Sequence, residues 1–103
     1  MTRGERLAAI AERLRRDYHA ERVILYGSVA RGTETEESDV DLLIIAPTRE
    51  HFYERMATVR KIMRPLRAGL VLSPIVLTPQ EIQARVEQGD QFVEEILDEG
   101  IDL

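Results

Sequence analysis

Four residues in the first half of the chain are of the types that bind phosphate and metal ions. Gly27 and Ser28 follow an apolar run, and ten residues separate them from an Asp-x-Asp pair formed by Asp39 and Asp41. A glycine permits a sharp turn that a Cβ would obstruct, and a serine hydroxyl adds a hydrogen-bond donor to that turn. Mg²⁺ binds one or two carboxylates together with substrate phosphate oxygens. The four residues together therefore predict metal-dependent nucleotidyl transfer.

The neighbouring residues predict the elements that would position these side chains. Residues 22–26 form a short β-branched and aromatic run that stops at a glycine, and residues 40–46 form a second apolar run that stops at a proline. Both runs are typical of strands. Residues 29–31 can form one helical turn, whose free N–H groups suit a phosphate. Residues 33–38 are polar and acidic, as in a loop.

Asp39 and Asp41 stand two residues apart at the start of the second predicted strand, so their side chains should project from one face. Each half of the pattern also has a plainer interpretation. Gly-Ser pairs are common in turns, and Asp-x-Asp at a strand start is often a solvated or capping pair. The conjunction of strand, Gly-Ser, ten residues, Asp-x-Asp and strand favours a metal–nucleotide site.

This conjunction resembles the signature of the nucleotidyltransferases of the DNA polymerase beta superfamily, in particular their minimal stand-alone members. The family pattern of Gly-Ser, ten residues and Asp-x-Asp is matched by Gly27, Ser28, Asp39 and Asp41. The family also favours a small residue, Arg and Gly shortly after the Ser, and residues 30–32 fit. The resemblance covers most of the chain, although only residues 25–45 are highly specific.

The resemblance implies an α/β (α+β) fold in which helices flank a small mixed β-sheet, as in the polymerase-beta-like nucleotidyltransferases. It implies the Mg²⁺-dependent transfer of a nucleoside monophosphate, with AMP from ATP as the leading choice, to a hydroxyl acceptor. Asp39 and Asp41 would be the metal ligands and catalytic residues. Gly27, Ser28 and Arg31 would hold the triphosphate.

The resemblance also implies a partner. Minimal members of the family often work with a small all-helical HEPN-type protein, in some cases as the antitoxin of a toxin–antitoxin pair, and can adenylylate it. Larger members of the superfamily add helical domains that grip the base and the acceptor. No such region is present in these 103 residues, so a second chain in a homo- or hetero-oligomer would supply what is missing.

One expected feature is absent from the sequence. The family commonly carries a third acidic ligand on a later strand, which completes the metal site and helps deprotonate the attacking hydroxyl. The matching run, residues 70–78, contains no Asp or Glu; Ser73 falls closest to the expected position, and Pro74 follows it. A neutral hydroxyl replaces a carboxylate poorly as ligand and as base. Two outcomes stay open: a slow enzyme, and an inactive module that binds and regulates a partner protein.

Length and composition exclude several classes of protein. At 103 residues we expect one domain, residues 1–103. The chain has no Cys, which excludes disulfides and thiolate chemistry. The charged N-terminal residues do not have the pattern of a signal peptide, and no apolar run approaches the roughly 20 residues that a membrane span needs. We therefore expect a cytoplasmic protein that does not bind a membrane.

Charge is distributed unevenly along the chain. Residues 81–103 hold one Arg and eight acidic residues, a net charge of −7, whereas residues 1–80 have a net charge of +2. An acidic end suits a basic partner surface, and a solvated helix end explains it equally well. Arg31 could bind the triphosphate, or it could instead form an ion pair with Glu34 or Asp39. The acidic side chains beside the predicted site would repel a nucleic-acid backbone, which disfavours nucleic acid as a direct acceptor. They are Glu34, Glu36 and Glu37.

Helical spacing of apolar residues predicts two longer helices. The first has the apolar face Leu7, Ile10, Ala11, Leu14 and Tyr18. The second has the apolar face Phe52, Met56, Val59, Met63 and Leu66. Thr48 is the predicted cap of the second helix, which should end or kink just before Pro65.

The end of the chain predicts an edge strand and two shorter helices. Pro74 favours an edge position or a bulge for the third strand. Thr78 would cap one helix, with a proline at its first position, and Asp90 would start the other, which Gly100 would end. The last helix has the apolar face Phe92, Val93, Ile96 and Leu97. Residues 101–103 could add an extended segment.

Overall fold

The structure is a computed structural model that describes residues 1–33 and 39–103. The predicted loop at 33–38 and its glutamates at 34, 36 and 37 therefore lie almost wholly outside the described residues. The elements follow in the order α1 (Arg3–Tyr18), β1 (Arg22–Tyr26), α2 (Gly27–Arg31), β2 (Val40–Ile45), α3 (Phe52–Arg67), β3 (Leu72–Leu77), α4 (Pro79–Glu87), α5 (Gln91–Glu99) and β4 (Ile101–Asp102).

The strands form one mixed sheet in the order β3-β2-β1-β4. β1 and β2 are antiparallel, with Tyr26 opposite Asp41, and β2 runs parallel to β3. β4 adds to the other side of β1 in an antiparallel sense. Pro74 lies in β3, the edge strand of this sheet, which confirms the prediction for that residue. The expected fold, a small mixed sheet flanked by helices, is confirmed.

The sheet buries a different set of side chains on each face, because successive residues of a strand point in opposite directions. Helices α1 and α3 cover the first face, whose strand residues include Val23, Leu25, Leu42, Ile44 and Val76. Helix α5 covers part of the second face, where it packs Val93 and Ile96 against Ile24, Leu43, Ile45 and Leu77. Asp41 belongs to the alternation of the second face.

Several helix boundaries follow the sequence rules. All five predicted apolar residues of α1 are buried. Thr78 caps α4, with its side chain accepting from the Glu81 N–H and Pro79 in the first position. Asp90 caps α5 by accepting from the Val93 N–H at 3.2 Å. Gly100 ends that helix, and β4 follows it as the predicted extended segment. No described helix is long and apolar enough to cross a membrane.

The predicted cap of α3 is wrong, and the helix does not end before Pro65. The residue that caps the helix is His51, whose backbone N–H donates to Glu54 Oε1 at 3.3 Å. Thr48 lies three residues earlier and uses its Oγ1 in a local turn, accepting from the Glu50 N–H at 3.1 Å. Such local bonds compete with capping. At the other end, Pro65 lies inside the helix, which continues to Arg67. Only one intrahelical donor is lost there, close to the end of the helix.

The apolar face predicted for α3 also differs in its first turns. Phe52 is 42% exposed, whereas Arg55 is only 8% exposed. The Arg55 guanidinium donates to Glu81 Oε1 at 2.6 Å and to the Val76 carbonyl at 3.2 Å. A buried charge is tolerated when such partners satisfy it. Arg55 thereby joins α3, β3 and α4.

We expect Arg55→Ala to lower the free energy of unfolding by about 2–3 kcal/mol, because it leaves a buried carbonyl and a carboxylate without their donor. Urea denaturation would measure this loss. Arg64→Ala, on the exposed side of the same helix, is the matched control and should change stability by no more than about 0.5 kcal/mol. Equal losses in the two variants would show that Arg55 does not tie the helices together.

Candidate active site

The turn at the end of β1 lies directly against the second carboxylate of the Asp-x-Asp pair. The strand register places Tyr26 opposite Asp41, and Gly27 comes next in the chain. Gly27 has φ +78°, a backbone conformation that L side chains rarely adopt. A Cβ built on Gly27 would overlap Asp41 Oδ2 and lie 3.3 Å from Asp41 Cγ. The glycine is therefore needed both for the turn and for the close approach of the carboxylate.

Asp39, Asp41 and Ser73 meet at one end of the sheet. Asp41 and Ser73 are register partners across the parallel β2–β3 pair, so they share a face. Asp39 precedes β2 and accepts a hydrogen bond from Ser73 Oγ at 3.0 Å on its Oδ2. The prediction that Ser73 stands beside the acidic pair is therefore confirmed by geometry. Where a third carboxylate would extend the anionic cluster, the chain has a hydroxyl that bonds to the first carboxylate.

The two carboxylates lie close enough for the charge of Asp39 to act on the pKa of Asp41. Partial burial raises the pKa of Asp41, the negative charge of Asp39 raises it further, and Arg31 opposes the rise without cancelling it. A like-charge pair of this kind is relieved by a bound cation. The residues therefore fit Mg²⁺ when substrate phosphates supply the remaining oxygens. No group of three His, Cys, Asp or Glu side chains that could hold a metal occurs within residues 1–33 and 39–103.

The predicted phosphate-binding residues cluster beside these carboxylates. Ser28 is half-buried in the first turn of α2, and its carbonyl accepts from the Thr33 N–H at 3.0 Å. Arg31, in the last turn of α2, is exposed and lies close enough to Asp41 to influence its pKa. Across the described part of the chain Arg31 forms no ion pair. The alternative pairing with Asp39 is therefore not observed, and the alternative with Glu34 lies outside the described residues.

A cavity of about 190 Å³ opens beside Gly27, between the end of β1, α2 and α5. Tyr26 and Phe92 form one side of it, with ring centroids 5.7 Å apart and ring planes at 87°. The rest of the lining comes from Gly27, Ala30, Arg31, Glu95, Ile96, Glu99 and Gly100. Burial raises the pKa of Tyr26 to about 12, with a further contribution from the charge of Asp41.

Sequence reasoning placed one of these residues elsewhere. Phe92 was assigned to the apolar face of α5, yet Phe92 is 51% exposed. The helical spacing of Phe92, Glu95 and Glu99 does place all three on one side of α5. That spacing could have indicated a mixed aromatic and acidic face. It could not have shown that the face meets the Gly-Ser turn, because this contact depends on where α5 docks.

We expect Gly27→Ala to destabilise the protein more than Gly89→Ala. Both glycines have positive φ, but a Cβ on Gly89 would meet nothing within 4 Å. Gly89→Ala should therefore cost only the backbone strain of about 1–2 kcal/mol. Gly27→Ala should cost about 1–3 kcal/mol more, because Asp41 must move. Urea denaturation of both variants measures the difference, and losses of the same size would contradict the close approach.

Comparisons with known proteins agree with this geometry. Residues 7–103 match the family model of the nucleotidyltransferase domain. Three proteins of Methanocaldococcus jannaschii, each named as a candidate protein adenylyltransferase, are similar to the chain. The first is 38% identical over 69 residues, which are 61% of this chain and 45% of that protein. The second is 40% identical over 57 residues, 54% of this chain and 58% of that protein.

The third relative is 33% identical over 79 residues, which are 77% of this chain and 73% of that protein. The chain thus spans about half the length of the first two relatives and most of the third. The family model spans nearly all of the chain, including both halves of the Gly-Ser and Asp-x-Asp pattern. The chain belongs to the nucleotidyltransferase family.

Proposed function

We propose that the chain transfers a nucleoside monophosphate, AMP from ATP, to a hydroxyl acceptor in a Mg²⁺-dependent reaction. One observation carries the proposal. The fold brings Asp39 and Asp41 together beside a glycine turn that only a residue without a Cβ can make. Repelling carboxylates next to such a turn suit a metal bound together with a triphosphate.

Each residue has a distinct role in the proposal. Asp39 and Asp41 hold Mg²⁺, which when bound offsets phosphate charge and orients the substrate. Gly27 lets the phosphate chain approach the backbone, and the Ser28 hydroxyl donates a hydrogen bond to it. Arg31, which has no ion-pair partner in the described ranges, offsets the charge of the outer phosphates. The acceptor brings the attacking hydroxyl: its oxygen bonds to the α-phosphorus, the bond from that phosphorus to the β-phosphate oxygen breaks, and pyrophosphate and the hydroxyl proton leave.

The acceptor in this proposal is a hydroxyl of a partner protein. The three relatives bear a name that specifies transfer to protein. The partner would be a small all-helical HEPN-type protein, with the present chain as antitoxin of the pair in the cytoplasm. Residues 81–103, with a net charge of −7, offer a surface for a basic partner. Docking of the partner would hold the attacking hydroxyl in line, about 3–3.5 Å from the phosphorus.

A second candidate function is that of a non-catalytic module, which binds a partner or a nucleotide without converting it. It is favoured by Ser73, since a hydroxyl occupies the position beside Asp39 where a third carboxylate would serve as ligand and base. Such a module would use the same surface to hold a partner or a nucleotide. The retained glycine turn and both aspartates favour the enzyme, because a module that only binds protein has no need of two repelling carboxylates.

The two functions are separated by co-expressing the chain with the product of the neighbouring reading frame and measuring the intact mass of that product. We expect a gain of one or more nucleotidyl units when the chain is wild type. The double variant Asp39→Asn/Asp41→Asn should abolish the gain while leaving the fold intact. A stable complex whose partner never gains mass, even with ATP and Mg²⁺ supplied, would favour the binding module.

Replacing the hydroxyl by a carboxylate tests the incomplete site. We expect Ser73→Asp to tighten Mg²⁺ binding in the presence of ATP and to speed turnover, because it adds an anionic ligand and a base next to Asp39. Titration calorimetry measures the affinity. Ser73→Asn, which adds similar bulk without charge, is the control and should not tighten binding. Unchanged affinity in Ser73→Asp would show that a partner, and not this position, completes the site.

A further inference from the structure

We propose that the cavity beside Gly27 is the subsite for the nucleobase of the triphosphate, and that it selects a base carrying an exocyclic amino group. This inference rests on the proposed function, since it assumes that the Gly-Ser turn holds the phosphates. Its observations are separate from those that carry the proposed function. They are the size of the cavity, the aromatic side chains that line it and the two carboxylates in its lining.

The cavity has the size of one ring system and not of a whole nucleotide. Its volume of about 190 Å³ lies below the roughly 300–1,000 Å³ of pockets that enclose drug-sized ligands. Only part of a nucleoside triphosphate can therefore enter. Gly27 and Arg31 line the same cavity, so whatever fills it is adjacent to the groups that the proposed function assigns to the phosphates.

Aromatic side chains supply the surface that a base requires. Tyr26 and Phe92 meet edge to face, an arrangement that stabilises both rings. Phe92 nevertheless keeps half of its surface exposed. Burying such a ring against a planar base removes apolar area from water, and stacking between aromatic side chains and bases is a general means of holding them. Ile96 and Ala30 add apolar side chains to the lining.

The charges around the cavity decide which part of the nucleotide enters it. Glu95 and Glu99 line its α5 side, and neither forms an ion pair with any residue in the described ranges. Two carboxylates repel phosphate groups, so the phosphates stay on the Arg31 side. Carboxylates only accept hydrogen bonds when ionised. They therefore suit the exocyclic amino group of adenine, and they give no partner to the carbonyl that replaces it in hypoxanthine.

The role of the aromatic side chains is tested by titrating the protein with ATP and, separately, with inorganic tripolyphosphate, each with Mg²⁺. Tripolyphosphate carries the phosphates without a base. We expect Phe92→Ala to weaken ATP binding by about 5- to 150-fold, the effect of removing one stacking aromatic, and to leave tripolyphosphate affinity unchanged. Phe52→Ala is the matched control, since Phe52 is also exposed and also meets a tyrosine edge to face. It should change neither affinity.

The carboxylates are tested by comparing ATP with inosine triphosphate, which has a carbonyl in place of the amino group. We expect the wild type to prefer ATP and the double variant Glu95→Ala/Glu99→Ala to lose that preference. The control, Glu94→Ala/Asp98→Ala, removes the same charge from the same helix at residues that do not line the cavity. It should keep the preference.

The outcomes separate this inference from the proposed function. Binding of ATP and tripolyphosphate with equal affinity, or ATP binding that Phe92→Ala leaves intact, would overturn the base subsite while the transferase proposal stands. Equal binding of ATP and inosine triphosphate by the wild type would overturn the selection of an amino-bearing base. Absence of binding of both ATP and tripolyphosphate would contradict the proposed function itself, and the subsite with it.

Discussion

The contact between the Gly27 backbone and the Asp41 carboxylate is the constraint on which the site depends. It exists because β1 and β2 pair with Tyr26 opposite Asp41, and because Gly27 has neither a Cβ nor a barrier to positive φ. A slip of one residue in that pairing would turn Asp41 to the other face, where α1 and α3 pack. The pairing of β2 with β1 on one side and with β3 on the other defines the observed register, so the strand pairing sets the position of the carboxylate.

The two faces of the sheet have different tasks. The face under α1 and α3 is filled by apolar side chains and supplies most of the buried core. On the other face, α5 packs over one part, and Asp41 and Ser73 lie at the end that forms the candidate site. This division explains why a chain of 103 residues can hold repelling carboxylates. Most of the stabilising apolar burial lies on the first face, and the carboxylates that oppose folding lie at the margin of the second.

The sequence predicted most of what depends on local rules and less of what depends on docking. The strands around Gly27 and the caps at Thr78 and Asp90 follow from turn chemistry, spacing and side-chain hydrogen bonding, whereas the place of Ser73 beside the aspartates was implied by the family resemblance. The cap of α3 was missed because Thr48 found a closer partner in its own turn. Buried Arg55 and exposed Phe92 were missed for another reason. Arg55 is buried because it bonds to Glu81 of α4. Phe92 lies beside the Gly-Ser turn because α5 docks there, and neither contact follows from local sequence spacing.

The proline in the edge strand has a consequence for the protein at high concentration. The outer side of β3 is where a second copy could add a strand and begin an extended intermolecular sheet. Pro74 offers no N–H at the middle of that side, so a ladder started there would be interrupted at once. The opposite edge is β4, only two residues long, with Asp102 held by the guanidinium of Arg22 at 3.0 Å. The β3 margin of the sheet therefore resists templated growth into fibrils.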